Sequence, residues 1–160
     1  MTRLEQIQDA VDERARKIVA VEEHWPCRKG CDECCRRLAA VPWITREEWL
    51  RLAAALNALP AETAELARQR IRASVNARRP VICPLLDTAA GACLTYAARP
   101  VACREYGFYA ERESVLGCQR IAARGEAAPT IVWGNHLALE EELCHLGPRA
   151  SLAAWLAAEA

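Results

Sequence analysis

The residues of this chain best suited to chemistry are its cysteines. Nine occur among 160 residues, and eight of them fall into two groups. The first group is Cys27-x3-Cys31-x2-Cys34-Cys35, and the second is Cys83-x9-Cys93-x9-Cys103-x14-Cys118. Close spacing across a turn at Gly30 lets two or three thiolates converge on one ion. Adjacent Cys34 and Cys35 are expected to point apart, one completing this site and the other facing a second site or the core. Cys83 and Cys93 flank a second glycine turn, which should bring them near each other. Eight thiols suffice for two four-sulfur sites, or for one site with spares. Thiolate donors select zinc, iron–sulfur clusters or copper(I) over hard, oxygen-seeking ions. A closed tetrahedral zinc site and a [4Fe–4S] cluster both take four thiolates, so spacing alone does not separate them.

The rest of the composition narrows the setting. Lys plus Arg and Asp plus Glu number 21 each, so the formal net charge is zero. That excludes a strongly basic nucleic-acid binder and an acidic disordered tail. No run approaches the ~18 apolar residues of a membrane span. The first residues, Met1-Thr2-Arg3-Leu4-Glu5-Gln6, lack the apolar core of a secretion signal. The expected location is therefore the cytoplasm, where thiols stay reduced and dense cysteine usage points to metal or redox chemistry. The expected partner is a metal ion, with neither nucleic acid nor membrane.

The elements that must position these cysteines read as mostly helical. Leu4, Ile7, Val11, Ile18 and Val19 recur at helical spacing over residues 4–22. The segment from Cys27 to Cys35 reads as a compact loop, and 41–44 as extended. Thr45-Arg46-Glu47-Glu48 has the form of a capping box, predicting a helix to about Leu59 with Trp49, Leu52, Leu56 and Leu59 inward. Pro60 restarts a helix to about Ala77, with Leu66, Ile71 and Val75 as its inner face and Arg68, Arg70 and Arg72 outside. Residues 81–86 and 92–96 flank Asp87-Thr88-Ala89-Ala90-Gly91 and predict a β-hairpin. A short helix through Cys103-Arg104 follows Arg99-Pro100. Residues 130–146 predict a helix with Ile131, Leu137, Leu139 and Leu143 in the core, and 151–159 a short terminal one. The whole predicts a mainly α single domain over 1–160. A cysteine-rich centre at 27–118 carries a minor hairpin, and helices at 1–24 and 130–160 flank it.

The motifs taken together resemble a known family. Cys27-x3-Cys31-x2-Cys34-Cys35, then Cys83-Pro84-Leu85-Leu86-Asp87, Gly91-Ala92-Cys93, Tyr96 and Arg99-Pro100-x2-Cys103-Arg104, are similar to the YkgJ-like cysteine cluster family. That family is described as a zinc- or iron-chelating domain. The resemblance spans about residues 27–118. It implies eight metal-binding cysteines, here Cys27, Cys31, Cys34, Cys35, Cys83, Cys93, Cys103 and Cys118, holding one or two Zn2+, or iron, or a [4Fe–4S] cluster. The first spacing is x3 where the family pattern has x2. The long extension of the flagellin lysine methylase relatives is missing, so their activity is not carried over. The x3–x2 spacing also matches radical S-adenosylmethionine enzymes, but the strand–helix alternation those need is absent.

Other residues stand beside the cysteines as candidates. Cys144 lies on a helix among Leu143 and Leu146 and reads as a core residue. His24, His136 and His145 are candidate ligands, His24 as a neighbour of Cys27. Arg99 and Arg104 are placed either to donate to metal-bound sulfur or to pair with Asp87 or Glu105. The expected function is a metal-binding protein that chelates zinc or iron through eight thiolates. The alternatives are an iron–sulfur redox or modifying enzyme, and a thiol redox sensor with thiolates activated by Arg28, Lys29 and Arg36.

Overall fold

A computed structural model describes residues 1–159. In chain order the helices are α1 (Arg3–Val21), α2 (Glu33–Arg36), α3 (Arg46–Asn57), α4 (Ala61–Ala73), α5 (Val101–Glu105), α6 (Gln119–Ala127), α7 (His136–Cys144) and α8 (Leu152–Ala158). The strands are short: β1 (Ile44–Thr45), β2 (Leu86–Asp87), β3 (Ala92–Cys93), β4 (Tyr109–Glu111), β5 (Ser114–Val115), β6 (Gly134–Asn135) and β7 (Arg149–Ala150). The chain is therefore mainly α with minor β, as expected. It forms two compact units, Met1–Arg28 with Val101–Leu146, and Lys29–Pro100 with Gly147–Ala160.

The first unit is organised by α1. Its start is a capping box: the Thr2 hydroxyl accepts from the Glu5 amide, and the Glu5 carboxylate accepts from the Thr2 amide at 2.6 Å. Leu4, Ile7, Val11 and Ile18 form one buried stripe, whereas Val19 faces solvent. Each buried Leu or Ile contributes about 1.5–3 kcal/mol. The stripe packs in one core with Val101, Phe108, Tyr109, Ile121, Leu139 and Leu143. A three-stranded sheet completes the unit. In it β4 pairs antiparallel with β5 and parallel with β6, in the register Tyr109↔Gly134 and Ala110↔Asn135. Neither this sheet nor α6 follows from the local sequence pattern. The predicted helix at 130–146 starts only at His136, because 134–135 is used as a strand.

The second unit is built on α3, α4 and α8. The predicted capping box forms: the Thr45 hydroxyl accepts from the Glu48 amide and Glu48 accepts from the Thr45 amide at 2.8 Å, all buried. Trp49, Leu52 and Leu56 are buried as expected. Two indoles tie α3 and β1 to the C-terminal segment. Trp49 Nε1 donates to Glu159 at 2.7 Å, and Trp155 Nε1 to the Ile44 carbonyl at 2.9 Å. The pair β1–β7 adds Ile44↔Ala150 to that joint.

The inner face assigned to α4 is corrected. Ile71 is buried, but Leu66 and Val75 are 47% and 67% exposed. The buried stripe is instead Ala64, Ala67 and Ile71, whose small members let α8 approach closely. Of the α4 arginines, Arg70 and Arg72 are exposed as expected and Arg68 is half-buried, with Arg68 and Arg72 both reaching Glu65. In α7 the stripe is Leu139 and Leu143, one turn apart. Leu137, two residues before Leu139, falls on the opposite side and is exposed.

Candidate metal centre

The thiols of the second unit gather where a one-turn helix meets the hairpin. Helix α2 carries Cys34 and Cys35 in the segment read from sequence as loop. It is held against the hairpin by a backbone bond from the Cys83 amide to the Cys35 carbonyl, 2.7 Å, and by the reciprocal Leu38–Val81 pair at 2.9 and 2.8 Å. Side chains add a clamp. Arg36 Nε donates to Asp32 Oδ2 at 2.6 Å, and its NH2 group to the Thr88 carbonyl at 2.9 Å inside the hairpin turn. The turn itself closes with the Gly91 amide on the Asp87 carbonyl, while Asp87 Oδ1 accepts from the Ala89 and Ala90 amides. Gly91 adopts φ +63°, and a Cβ there would sit 3.4 Å from Asp32 Oδ2. Glycine thus satisfies both the left-handed backbone and the close approach of the clamp. Cys93 enters on β3 opposite Leu86.

Cys35 is the hub of this set. Its thiol hydrogen-bonds with those of Cys34 and Cys83 and lies within electrostatic reach of Cys93. The hydrogen bond with Cys34 pulls the Cys35 thiol down, but the Cys83 bond, burial and the charges of Cys83 and Cys93 outweigh it. The net result pushes Cys35 up to about 12. Cys34 is pushed above the ordinary thiol range, first by its hydrogen bond with Cys35, then by burial and by the Cys35 charge. The cause is crowding: neighbouring thiolates repel in a half-buried pocket. A divalent cation reverses that sign, because a coordinating thiol is deprotonated outright. The donor chemistry therefore fits a thiolate-bound metal. The four sulfurs form a chain and not a closed cage: among the described residues no three of them lie within 4.8 Å of one another.

Three of the eight motif cysteines, Cys27, Cys103 and Cys118, belong to the first unit. Cys27 packs beside the core, its Sγ 3.6 Å from the Tyr106 carbonyl oxygen. Cys103 lies on α5, and Cys118 is the residue before α6. In the second unit Cys34 and Cys35 lie near Cys83 and Cys93. Cys31 lies in the second unit just before α2.

One neighbouring expectation is corrected, and other residues show contacts of their own. Cys144 is exposed, because it follows Leu143 by 100° around α7 and so leaves the buried stripe. Arg104 pairs with Asp12 at 2.7 Å, and Arg99 stacks on the Tyr96 ring at 3.7 Å while donating to the Tyr96 carbonyl. Asp87 is occupied by the hairpin turn. His24 is exposed, 3.9 Å from Glu23. The proposed activators of a reactive thiolate have other contacts: Arg36 holds Asp32, and Lys29 sits over Tyr96 at 5.4 Å.

One constellation was not found from sequence. His136 Nδ1 lies 2.8 Å from Glu105 Oε2, with Glu140 beside them. The available signal was a His-x3-Glu spacing, which places both side chains on one helical face.

Comparison with protein families agrees with the motif reading. A family model described as "Putative zinc- or iron-chelating domain", with the signature CxxCxxCC, matches residues 26–126. The chain belongs to this cysteine cluster family. The match covers every motif cysteine and leaves out α1, α7 and α8. Comparison with curated proteins and with solved structures gave no match. No helix among the described residues is long and apolar enough to cross a membrane.

Proposed function

We propose that this cysteine cluster protein holds zinc or iron through eight cysteine thiolates, with Cys34, Cys35, Cys83 and Cys93 forming one four-sulfur site. The observation that carries the reading is the place of the Cys35 thiol, beside those of Cys34 and Cys83 and near that of Cys93, where backbone hydrogen bonds seat α2 on the hairpin segment. A buried chain of mutually repelling sulfurs gains most from a shared cation. The remaining ligands are Cys27, Cys103 and Cys118 of the first unit and Cys31 of the second. Ion binding would draw the four sulfurs around Cys35 to tetrahedral separations of about 3.8 Å, given metal–sulfur bonds near 2.3 Å. Side-chain rotation suffices for part of this, because hydrogen bonds already fix α2 to the hairpin. Reduced thiols of this density suit a reducing compartment such as the cytoplasm.

Elemental analysis and an absorption spectrum on anaerobically purified protein test the proposal. Zinc predicts colourless protein with about one or two ions per chain. A cluster predicts brown protein, acid-labile sulfide and absorbance near ~400 nm. Cys35→Ser is expected to remove the ion of its site, and Cys144→Ser to remove none. Folded protein that carries no metal and takes up neither zinc nor iron would refute the reading.

A further inference from the structure

We propose that Glu105, His136 and Glu140 form a second kind of cation site, one built from nitrogen and oxygen donors and selective for a divalent first-row metal. Among the described residues this is the one set of three metal-donor side chains whose ligand atoms all lie within 4.8 Å of one another. All three belong to the first unit.

The fold assembles the set from two helices. Glu105 ends α5 and is 3% exposed, and His136 opens α7 with Glu140 one turn later on the same face. The parallel β4–β6 pair fixes the distance between those helices. The Phe108 amide donates to the Glu105 carbonyl at 2.8 Å, and the Gly134 amide donates to the Phe108 carbonyl at 3.0 Å. The chain that leaves α5 is thereby stitched to the chain that enters α7. The result is an imidazole nitrogen 2.8 Å from a carboxylate oxygen. That separation is close to the ~3 Å edge of an octahedron with metal–ligand bonds of about 2.1 Å.

The donor set also indicates which ions it would take. Imidazole with carboxylates suits manganese, iron or zinc, whereas thiolates reject manganese. Three protein ligands leave coordination positions for water, the arrangement of open sites and not of closed structural ones. A hydrogen-bonded His–Glu pair that serves only to pack α5 against α7 would hold no such ion, and the test separates the two.

Mn2+ is the probe, because it reports on the nitrogen–oxygen set while the thiolates keep their own metal. Purified protein with its native metal content is titrated with MnCl2, and free Mn2+ is read by electron paramagnetic resonance. The wild type is expected to bind about one Mn2+ below ~1 mM, with binding at least tenfold weaker in both His136→Ala and Glu140→Ala. Cys144→Ser, at the exposed end of the same helix, is expected to bind as the wild type does. In proton spectra the bound ion should broaden the His136 ring signals before those of exposed His24. Absence of binding at ~1 mM, retention of full affinity in Glu140→Ala, or broadening that spares His136 would each overturn the proposal.

Discussion

Gly107 offers the sharpest quantitative test of how the chain positions a motif cysteine. It lies two residues beyond α5 with φ +91°, a conformation that costs a side-chain-bearing residue about 1–3 kcal/mol. A Cβ built there would overlap the Cys27 sulfur and stand 3.1 Å from the Cys27 Cβ, with Ile121 Cδ1 at 3.6 Å behind. Neither neighbour yields freely. Cys27 is followed closely in space by the Tyr106 carbonyl, and Ile121 is fully buried. Forcing a methyl group into such a contact costs a further ~1–3 kcal/mol. The lost freedom of the unfolded chain offsets about 0.4–1 kcal/mol. Gly107→Ala is therefore expected to destabilise by about 3 kcal/mol. Gly30 is the control: its φ is also +91°, but nothing lies within 4 Å of its Cβ position. Gly30→Ala carries the backbone strain alone, about 1–2 kcal/mol after the same offset. Urea denaturation followed by circular dichroism measures both, on samples matched for metal by elemental analysis. The Cys27 thiol should also react faster with a chromogenic disulfide in Gly107→Ala. If Gly107→Ala costs no more than Gly30→Ala, the Cys27 sulfur is not seated against the Gly107 turn and the reasoning fails.

Three further outcomes are expected. Arg36→Ala breaks the clamp on Asp32 and Thr88, and should weaken metal binding at the Cys35 site by about 10–100-fold in competition with a chromogenic chelator, leaving helix content unchanged. Thr45→Ala should cost about 1–2 kcal/mol in the same urea assay, because it removes a buried cap whose carboxylate partner is also buried. Tyr109 should ionise late, above the usual phenol value, in an ultraviolet titration. Burial raises its phenol above the usual value of 10.0, Arg14 opposes, and the Glu105, Glu142 and Asp12 charges add to the rise. Because the folded value is the higher one, this contribution to stability is complete below about pH 10 and is lost as pH climbs through the folded value. A Tyr109→Phe protein should lose the late step and the alkaline sensitivity attached to it.

The parts of the fold that were legible in sequence are those with a local cause. Thr45 and Glu48 announce their helix because a capping box needs only four consecutive residues. Leu4, Ile7, Val11 and Ile18 announce theirs because large side chains trace the stripe. Where alanine lines the interface the signal fails: Ala64 and Ala67 are buried while the larger Leu66 is not, so weighting positions by hydrophobic size points to the wrong face of α4. Helix α6 offers Ile121 as its single buried residue, too little for a periodicity. The β4–β6 pair joins Tyr109 to Gly134 with strands of two or three residues, and no local pattern encodes a parallel pairing across that interval. The motif cysteines were legible as a set, since their spacing and flanking prolines, glycine and arginines are read directly. Their grouping was not, because it depends on the hydrogen bonds that seat α2 on the hairpin.

That regrouping bears on what the first motif is for. A run such as Cys27-x3-Cys31-x2-Cys34-Cys35 suggests one local chelate, but Cys27 belongs to the first unit and the other three to the second. Helix α2 has only four residues and no side-chain cap, so its own hydrogen bonds cannot keep it folded. What keeps Cys34 and Cys35 in place is the Cys83–Cys35 backbone bond, the Leu38–Val81 bridge and the Asp32–Arg36–Thr88 clamp. Each of these reaches from the first motif to the second. Residues between the two motifs, α3 and α4, can then vary in surface without disturbing the thiols, provided the segment from Val81 to Cys93 stays seated. It follows that Arg36→Ala, which removes no sulfur, should lower metal affinity more than Cys144→Ser, which removes one. The opposite order would mean that sulfur count, and not the seating of α2, controls binding.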